Sequence, residues 1–366
     1  MRHFWTTAAW ASLMGSVVAQ TFTNCNPLEK ACPADPALGT EHEWWLNSTI
    51  DPSVWNMSTG SINYANGAAE FTIAKVNEST LMQSNFYIFF GVVESWVKMA
   101  KGGGVVSSVV LESDDLDEID WEWVGYNTSA VQSNFFGKGN TTSYDRGGIH
   151  YVPNADTEWH NYTTLWTSEK LEWHIDGQVV RTLPFNDPKA LGGKNYPQTP
   201  CRVKFSNWPA GREGAAQGTI EWAGGLVDYS KGPFTMSVQR IRIQDYHSGK
   251  EYSYGDRSGS WQSIKVVTGN STVQQKIDQP PPKSLSEKWA DLPQATHIGV
   301  YAAAGAVGGL LILVLGFCCI RQRRQGRLEH ALADSKWNAE RTEMANFQSD
   351  WKQTEWKHGG YSKVNS

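Results

Sequence analysis

The chain has 366 residues and a net charge of −5, with 18 tryptophans. A balance this close to neutral gives no basis for nucleic acid as a partner. The length admits one large β-domain together with separate terminal segments.

The N-terminus sets the compartment. Arg2 and His3 precede an apolar stretch from Phe4 to Val18, and Val17-Val18-Ala19 supplies small residues for signal-peptidase cleavage. Residues 1–19 therefore read as a signal peptide, with Gln20 first in the mature chain. The stretch is too short for an anchor and is interrupted by Thr6, Thr7 and Ser12. Cys25 and Cys32 follow closely in what is then an oxidising compartment, where a small disulfide loop is expected.

Residues 20–262 carry short alternating or β-branched runs: Ala69–Ala74, Tyr87–Lys98, Val105–Leu111, Glu118–Val124, Thr163–Trp166, Leu171–Ile175, Arg202–Trp208 and Met236–Gln244. Turn residues separate them, among them Gly102-Gly103-Gly104, Asp176-Gly177 and Gly224-Gly225. Many short strands with glycine-rich turns predict an all-β sandwich or jelly roll. Most of its tryptophans are assigned to the core, and a minority to a sugar-binding cleft where indoles stack on pyranose rings. Cys201 is expected to be buried and free.

Periodicity fades after Trp261, and residues 263–296, with Pro280-Pro281-Pro282, read as a semi-rigid stalk. Ile298 to Ile320 is uncharged and reaches roughly 34 Å as a helix, so residues 297–320 are predicted to span a bilayer. Arg321, Arg323, Arg324 and Arg327 follow at once and assign the C-terminal side to the cytosol. Because the polar segment 321–366 comes after the apolar run, a retained helix is expected rather than a cleaved glycolipid-anchor signal. That tail is read as a loose helix or disordered, with Cys318 and Cys319 at the membrane edge. Seven sequons, at Asn47, Asn56, Asn77, Asn127, Asn140, Asn161 and Asn270, all precede the span. Their distribution agrees with a single-pass protein whose β-domain faces outward.

The chemistry concentrates in the run Ser113-Asp114-Asp115-Leu116-Asp117-Glu118-Ile119-Asp120-Trp121-Glu122-Trp123. From 118 onward acids alternate with apolar residues. On a strand, Glu118, Asp120 and Glu122 then share one face, and Ile119, Trp121 and Trp123 the other. A retaining glycosidase needs one carboxylate as nucleophile and another about 5–5.5 Å away as acid/base. Residues i and i+4 lie roughly 13 Å apart at Cα on a flat strand, so long glutamates on a curved sheet would have to lean together. A calcium loop from Asp114, Asp115 and Asp117, or a solvated acidic edge, are the alternatives, although the run lacks EF-hand glycine and spacing.

Glu-Ile-Asp-Trp-Glu resembles the E-x-D-x-E signature of glycoside hydrolase family sixteen. Val105-Val106-Ser107-Ser108, the acidic run 113–120, and Asn134-Phe135-Phe136-Gly137-Lys138-Gly139 narrow the resemblance to the fungal Crh group of cell-wall transglycosylases. So do Trp159-His160-Asn161-Tyr162, Trp173-His174-Ile175-Asp176-Gly177 and Gly218-Thr219-Ile220-Glu221-Trp222-Ala223-Gly224-Gly225, and the Cys25–Cys32 loop. The resemblance covers about Cys25 to Tyr246 and implies a concanavalin-like β-jelly-roll sandwich. It implies Glu118 as nucleophile, Glu122 as acid/base, and Asp120 assisting between them. Lys204, Trp208, Thr219 and Trp222 are carried over as chitin-contacting residues. The implied reaction passes a chain from a chitin donor to a β-glucan or chitin acceptor, or to water. Members of the group are often anchored by a glycolipid, whereas this chain carries a span and a basic tail.

No cofactor is expected. His150, His160, His174 and His247 lack zinc-ligand spacing and are assigned to packing and hydrogen bonding, with no metal in the chemistry. The competing reading is a catalytically silent carbohydrate-binding wall protein, which would have no use for three like charges held together. A membrane sensor finds no docking motif in the tail to support it.

Overall fold

In the computed structural model, residues 23–143, 145–279 and 285–358 are described. The expected signal peptide, the middle of the expected stalk and the last eight residues lie outside them. The chain divides into two compact units, residues 1–280 and 281–366.

The first unit is a jelly-roll sandwich of antiparallel sheets. One sheet orders seven strands: Gly148–Tyr151, Ala130–Phe136, Glu118–Val124, Val105–Ser113, Cys201–Pro209, Thr80–Ser84 and Trp55–Thr59. The second runs Gln178–Pro184, Lys170–Ile175, His160–Trp166, Gly91–Lys98, Phe234–Asp245, Ala68–Ile73 and Ile62–Ala65, with Glu41–Trp45 also paired to Phe234–Asp245. A small third sheet joins Asp35–Pro36, Glu251–Tyr254 and Ile264–Val267.

Sequence alternation explains the layering. Gly91–Lys98 buries every second residue, so one face meets the core and the other is open. Between the sheets lie fully buried Trp55, Trp121, Trp123, Trp166 and Trp173, with Phe71, Phe86 and Phe135. The Tyr162 ring meets Trp121 at 5.5 Å and Trp123 at 4.6 Å, both edge-on. Replacing any one of these tryptophans by alanine would cost about 3–5 kcal/mol. The apolar face of the acidic strand is thus committed to the core, which leaves its acids facing the other way.

Cys25 and Cys32 form a disulfide, and Cys201 is buried and free. The domain boundary differs from the sequence expectation. Residues beyond 262 do not leave the β-domain, because Ile264–Val267 is a strand of the small sheet. Ser271 then caps the helix Thr272–Ile277, accepting from the amides of Val273 and Gln274, and donates to the Ala37 carbonyl at 2.6 Å. Val273 joins the core. Ile277 of the same helix packs against it, and two apolar contacts in six residues are too few to show as a period.

The second unit holds the helices Leu285–Ala290 and Gln294–His358. The longer one is a candidate membrane span, apolar and exposed from Ile298 to Ile320. It continues as a helix to His358, where a loose helix or disorder was expected for the tail. Strong helix formers such as Ala, Leu, Glu, Lys and Arg dominate residues 327–345, and propensity suffices to carry the helix on.

Candidate active site

The acidic strand Glu118–Val124 lies third from one edge of the seven-stranded sheet, between Ala130–Phe136 and Val105–Ser113. Register builds the outer face in rows. Glu118 stands opposite Phe136 on one side and Glu112 on the other, with Arg202 beyond. Asp120 lies between Asn134 and Val110, followed by Lys204 and Gln83. Glu122 lies between Gln132 and Ser108, followed by Ser206. The sequence-predicted acids therefore do share one face, opposite the core tryptophans.

Burial gives these carboxyls unusual chemistry. Glu118 and Asp120 are buried and Glu122 is half-buried. Burial first, and then the charge on Glu118, raises the Glu122 carboxyl to about 8. Asp120 is pushed well above the usual carboxylate range by burial and by Glu118 and Glu122 on either side. Neither Asp120 oxygen takes a hydrogen bond from an amide or hydroxyl among the described residues. The partner that Asp120 meets is the Glu118 carboxyl, so a hydrogen bond there requires one of the two acids to hold a proton.

Other acids nearby are differently placed. Asp117 is fully buried and accepts from the Lys138 amide at 3.0 Å, the Gln198 amide at 2.8 Å and the Thr199 hydroxyl at 2.8 Å. Asp115 accepts from the Ser113 hydroxyl at 2.5 Å and shares the Thr199 hydroxyl with Asp117, and burial followed by the Asp117 charge raises it to about 7. Asp114 accepts from the Tyr87 hydroxyl at 2.8 Å. The three aspartates weighed as a calcium loop are thus engaged by protein donors and fix the turn that leads into Glu118.

Lys204 is buried in the row of Asp120 and ion-paired with Glu112. Trp208 is half-buried and donates from Nε1 to the Ser108 hydroxyl at 3.1 Å, one strand from Glu122. Trp222 closes the short helix Gln217–Trp222 and donates from Nε1 to Gln132 Oε1 at 2.9 Å, on the other side of Glu122. The two indoles lie 6.2 Å apart at 35°. Beneath them Val106, Val124, Ala210 and Ala223 form a small apolar cluster. The segment carrying this helix can approach only because of glycine. A side chain on Gly104, at φ +81°, would come within 2.7 Å of the Val227 amide, and one on Gly211 within 2.0 Å of the Gly225 carbonyl. Thr219 lies on the same helix, half-exposed, and its amide bonds to the Ala216 carbonyl at 2.9 Å.

Sequence reasoning missed Glu112, Ser108, Gln132 and Asn134. Each is polar on the same sheet face as the three acids, opposite the core, and that alternation was the available signal. The four histidines make local hydrogen bonds: His150 with Ser133, His160 with Asp176, His174 with Glu172 and His247 with the Phe89 carbonyl.

A sequence model of glycosyl hydrolases family 16 matches residues 51–224. The chain is 62% identical to Crh-like protein 3 of Aspergillus fumigatus over 358 residues, covering 98% of both chains. It is 50% identical to a Crh-like protein of Arthroderma benhamiae, covering 93% of both. Its structure is similar to that of a Crh5 transglycosylase in complex with NAG, with a TM-score of 0.64 and 48% identity, over 66% of this chain and 99% of that one.

Proposed function

Because the chain belongs to the Crh-like group of glycosyl hydrolase family 16, a family of glycosidases and transglycosylases, we propose that it is a retaining chitin transglycosylase tethered at the plasma membrane and facing the cell wall. The donor in this reading is chitin, and the acceptor is β-glucan or chitin. The carrying observation is the row of three acids on one cleft-facing side, with the Glu122 carboxyl raised to about 8.

The chemistry follows from the row. Glu118 attacks the anomeric carbon as Glu122 gives its proton to the departing glycosidic oxygen. A glycosyl-enzyme on Glu118 results. Glu122, now ionised, takes a proton from the acceptor hydroxyl, which attacks the same carbon and releases Glu118. Two inversions restore the original anomeric configuration. Asp120 meets the Glu118 carboxyl and is the group that trades a proton with it as its charge changes. Lys204, bound to Glu112, offsets negative charge in the row. Trp208 and Trp222 supply apolar faces for sugar rings, with Thr219 beside them. The relative solved with NAG supports a donor built of N-acetylglucosamine.

Topology belongs to the same reading. Residues 1–19 direct secretion, the apolar part of the helix from Gln294 spans the membrane, and Arg321 to Arg327 hold the tail in the cytosol.

The test incubates the purified chain with a chitin oligosaccharide and a fluorescent laminarin oligosaccharide, and reads products by mass spectrometry. Hybrid products lost in Glu118→Gln are expected. Shortened chitin alone would identify a hydrolase. No change in either sugar would leave a binding protein.

A further inference from the structure

The back of the eight-stranded sheet, away from the acids, carries a feature that catalysis does not use. We infer that Asn161 bears an N-linked glycan whose first N-acetylglucosamine packs against Trp96. This rests on the secretory reading above.

Asn161 heads the triplet Asn161-Tyr162-Thr163 and sits in the strand His160–Trp166. Its neighbours in that strand, His160 and Tyr162, are buried, so Asn161 points outward. Trp96 stands directly opposite Asn161 on Gly91–Lys98 and is also half-exposed. Arg240 covers Trp96 from the other neighbouring strand, with its guanidinium carbon 3.5 Å from the ring centre. Asn161 thus occupies the open side of that row. The Thr163 hydroxyl donates to Asn161 Oδ1 at 3.1 Å and the Asn161 amide donates to Asp176 Oδ1 at 2.8 Å, which leaves Nδ2 as the outward group.

The other sequons lack this setting. Asn140 already donates from Nδ2 to Asn195 Oδ1 at 3.2 Å. Asn56 lies on the cleft sheet. Asn47 lies beyond the end of Glu41–Trp45, off the sheet face. Pyranose rings stack on indole as apolar plates do, and Arg240 covers Trp96 from the strand opposite to that of Asn161, which leaves the Asn161 side of the ring for the sugar.

The attachment is a group transfer. Asn161 Nδ2 bonds to the anomeric carbon of a lipid-diphosphate-linked oligosaccharide, losing one proton. The carbon–oxygen bond to diphosphate breaks, and the lipid diphosphate leaves with the electron pair. Folding then brings the first sugar onto the Trp96 indole.

The experiment expresses the full chain in a fungal secretory host, maps sugar at every sequon by mass spectrometry, and compares melting of wild type, Asn161→Gln and Trp96→Ala. Asn161 is expected to be occupied, and Asn161→Gln to lower the midpoint by about 2–4 °C. Trimming each glycan enzymatically to its protein-linked sugar should leave the wild-type midpoint unchanged, since that sugar makes the contact. In the Trp96→Ala background, losing Asn161 should change the midpoint little. Sugar at other sequons with Asn161 bare, or equal melting of wild type and Asn161→Gln, overturns the inference alone. Sugar at no sequon overturns the secretory reading and the inference with it.

Discussion

Asp117 and Asp120 lie three residues apart, both buried, and their surroundings differ completely. Asp117 receives two backbone amides and a hydroxyl, with the Lys138 ammonium 3.6 Å away. Asp120 receives no amide or hydroxyl among the described residues and meets a second carboxyl instead. A buried charge with donors strengthens a fold, whereas a buried acid facing acids is costly and holds its proton. The turn therefore spends its carboxylate on shape, and the strand keeps its carboxylates for chemistry.

That contrast is open to attack at several points. The largest effect is expected at Glu118→Gln, which should lower transfer at least about a thousand-fold while sugar binding and melting stay near wild type. A variant retaining full rate would remove the strand from the mechanism. Asp117→Ala should instead cost about 3–5 kcal/mol in urea unfolding, because it strands buried donors beside Lys138. Asp120→Asn should leave stability level or higher and lower the rate roughly a hundred-fold. If the two aspartate variants behave alike, the division between them fails.

A pH series sharpens the same comparison. The Glu122 carboxyl, raised to about 8, must be protonated to act as acid, so the rate should fall as pH rises through about 8. Stability moves in the same direction. The folded state holds this proton more tightly than the unfolded chain, so its contribution is full below the ordinary value of 4.5 and is lost as pH rises towards 8. Glu122→Gln should flatten that fall in urea titrations. The smallest effect is expected at Trp208→Ala, where a lost ring contact of about 0.5–1.5 kcal/mol should raise KM several-fold and leave kcat nearly unchanged.

Local patterns made much of this legible. Strict alternation predicted the strand Glu118–Val124 with its bounds intact, and spacing predicted the Cys25–Cys32 pair. An uncharged run of sufficient length marked the candidate span. What remained hidden depends on strands distant in sequence. The family resemblance implies Lys204 as a sugar contact, and only the pairing of Cys201–Pro209 with Val105–Ser113 brings it to Glu112. Alternation sends Trp121 and Trp123 to the buried face, where they meet Tyr162, whereas the convergence of Trp208 and Trp222 runs through a helix too short to give a period. The domain end was misplaced because it rests on a four-residue strand and a six-residue helix, which bury Ile264 and Val273 but are too short to show a period.

Cys201–Pro209 lies between two strands made long before it, Val105–Ser113 and Thr80–Ser84. A growing chain can zip Val105–Ser113, Glu118–Val124 and Ala130–Phe136 together from local hairpins. It cannot close the sheet until residue 209 has emerged. Until then Glu112 has no lysine beside it, and Val105–Ser113 presents an open hydrogen-bonding edge, the kind of template that invites mispairing with another chain. Such long-range closure makes assembly slow, and it makes the central strand the point at which a nascent molecule is most exposed to aggregation.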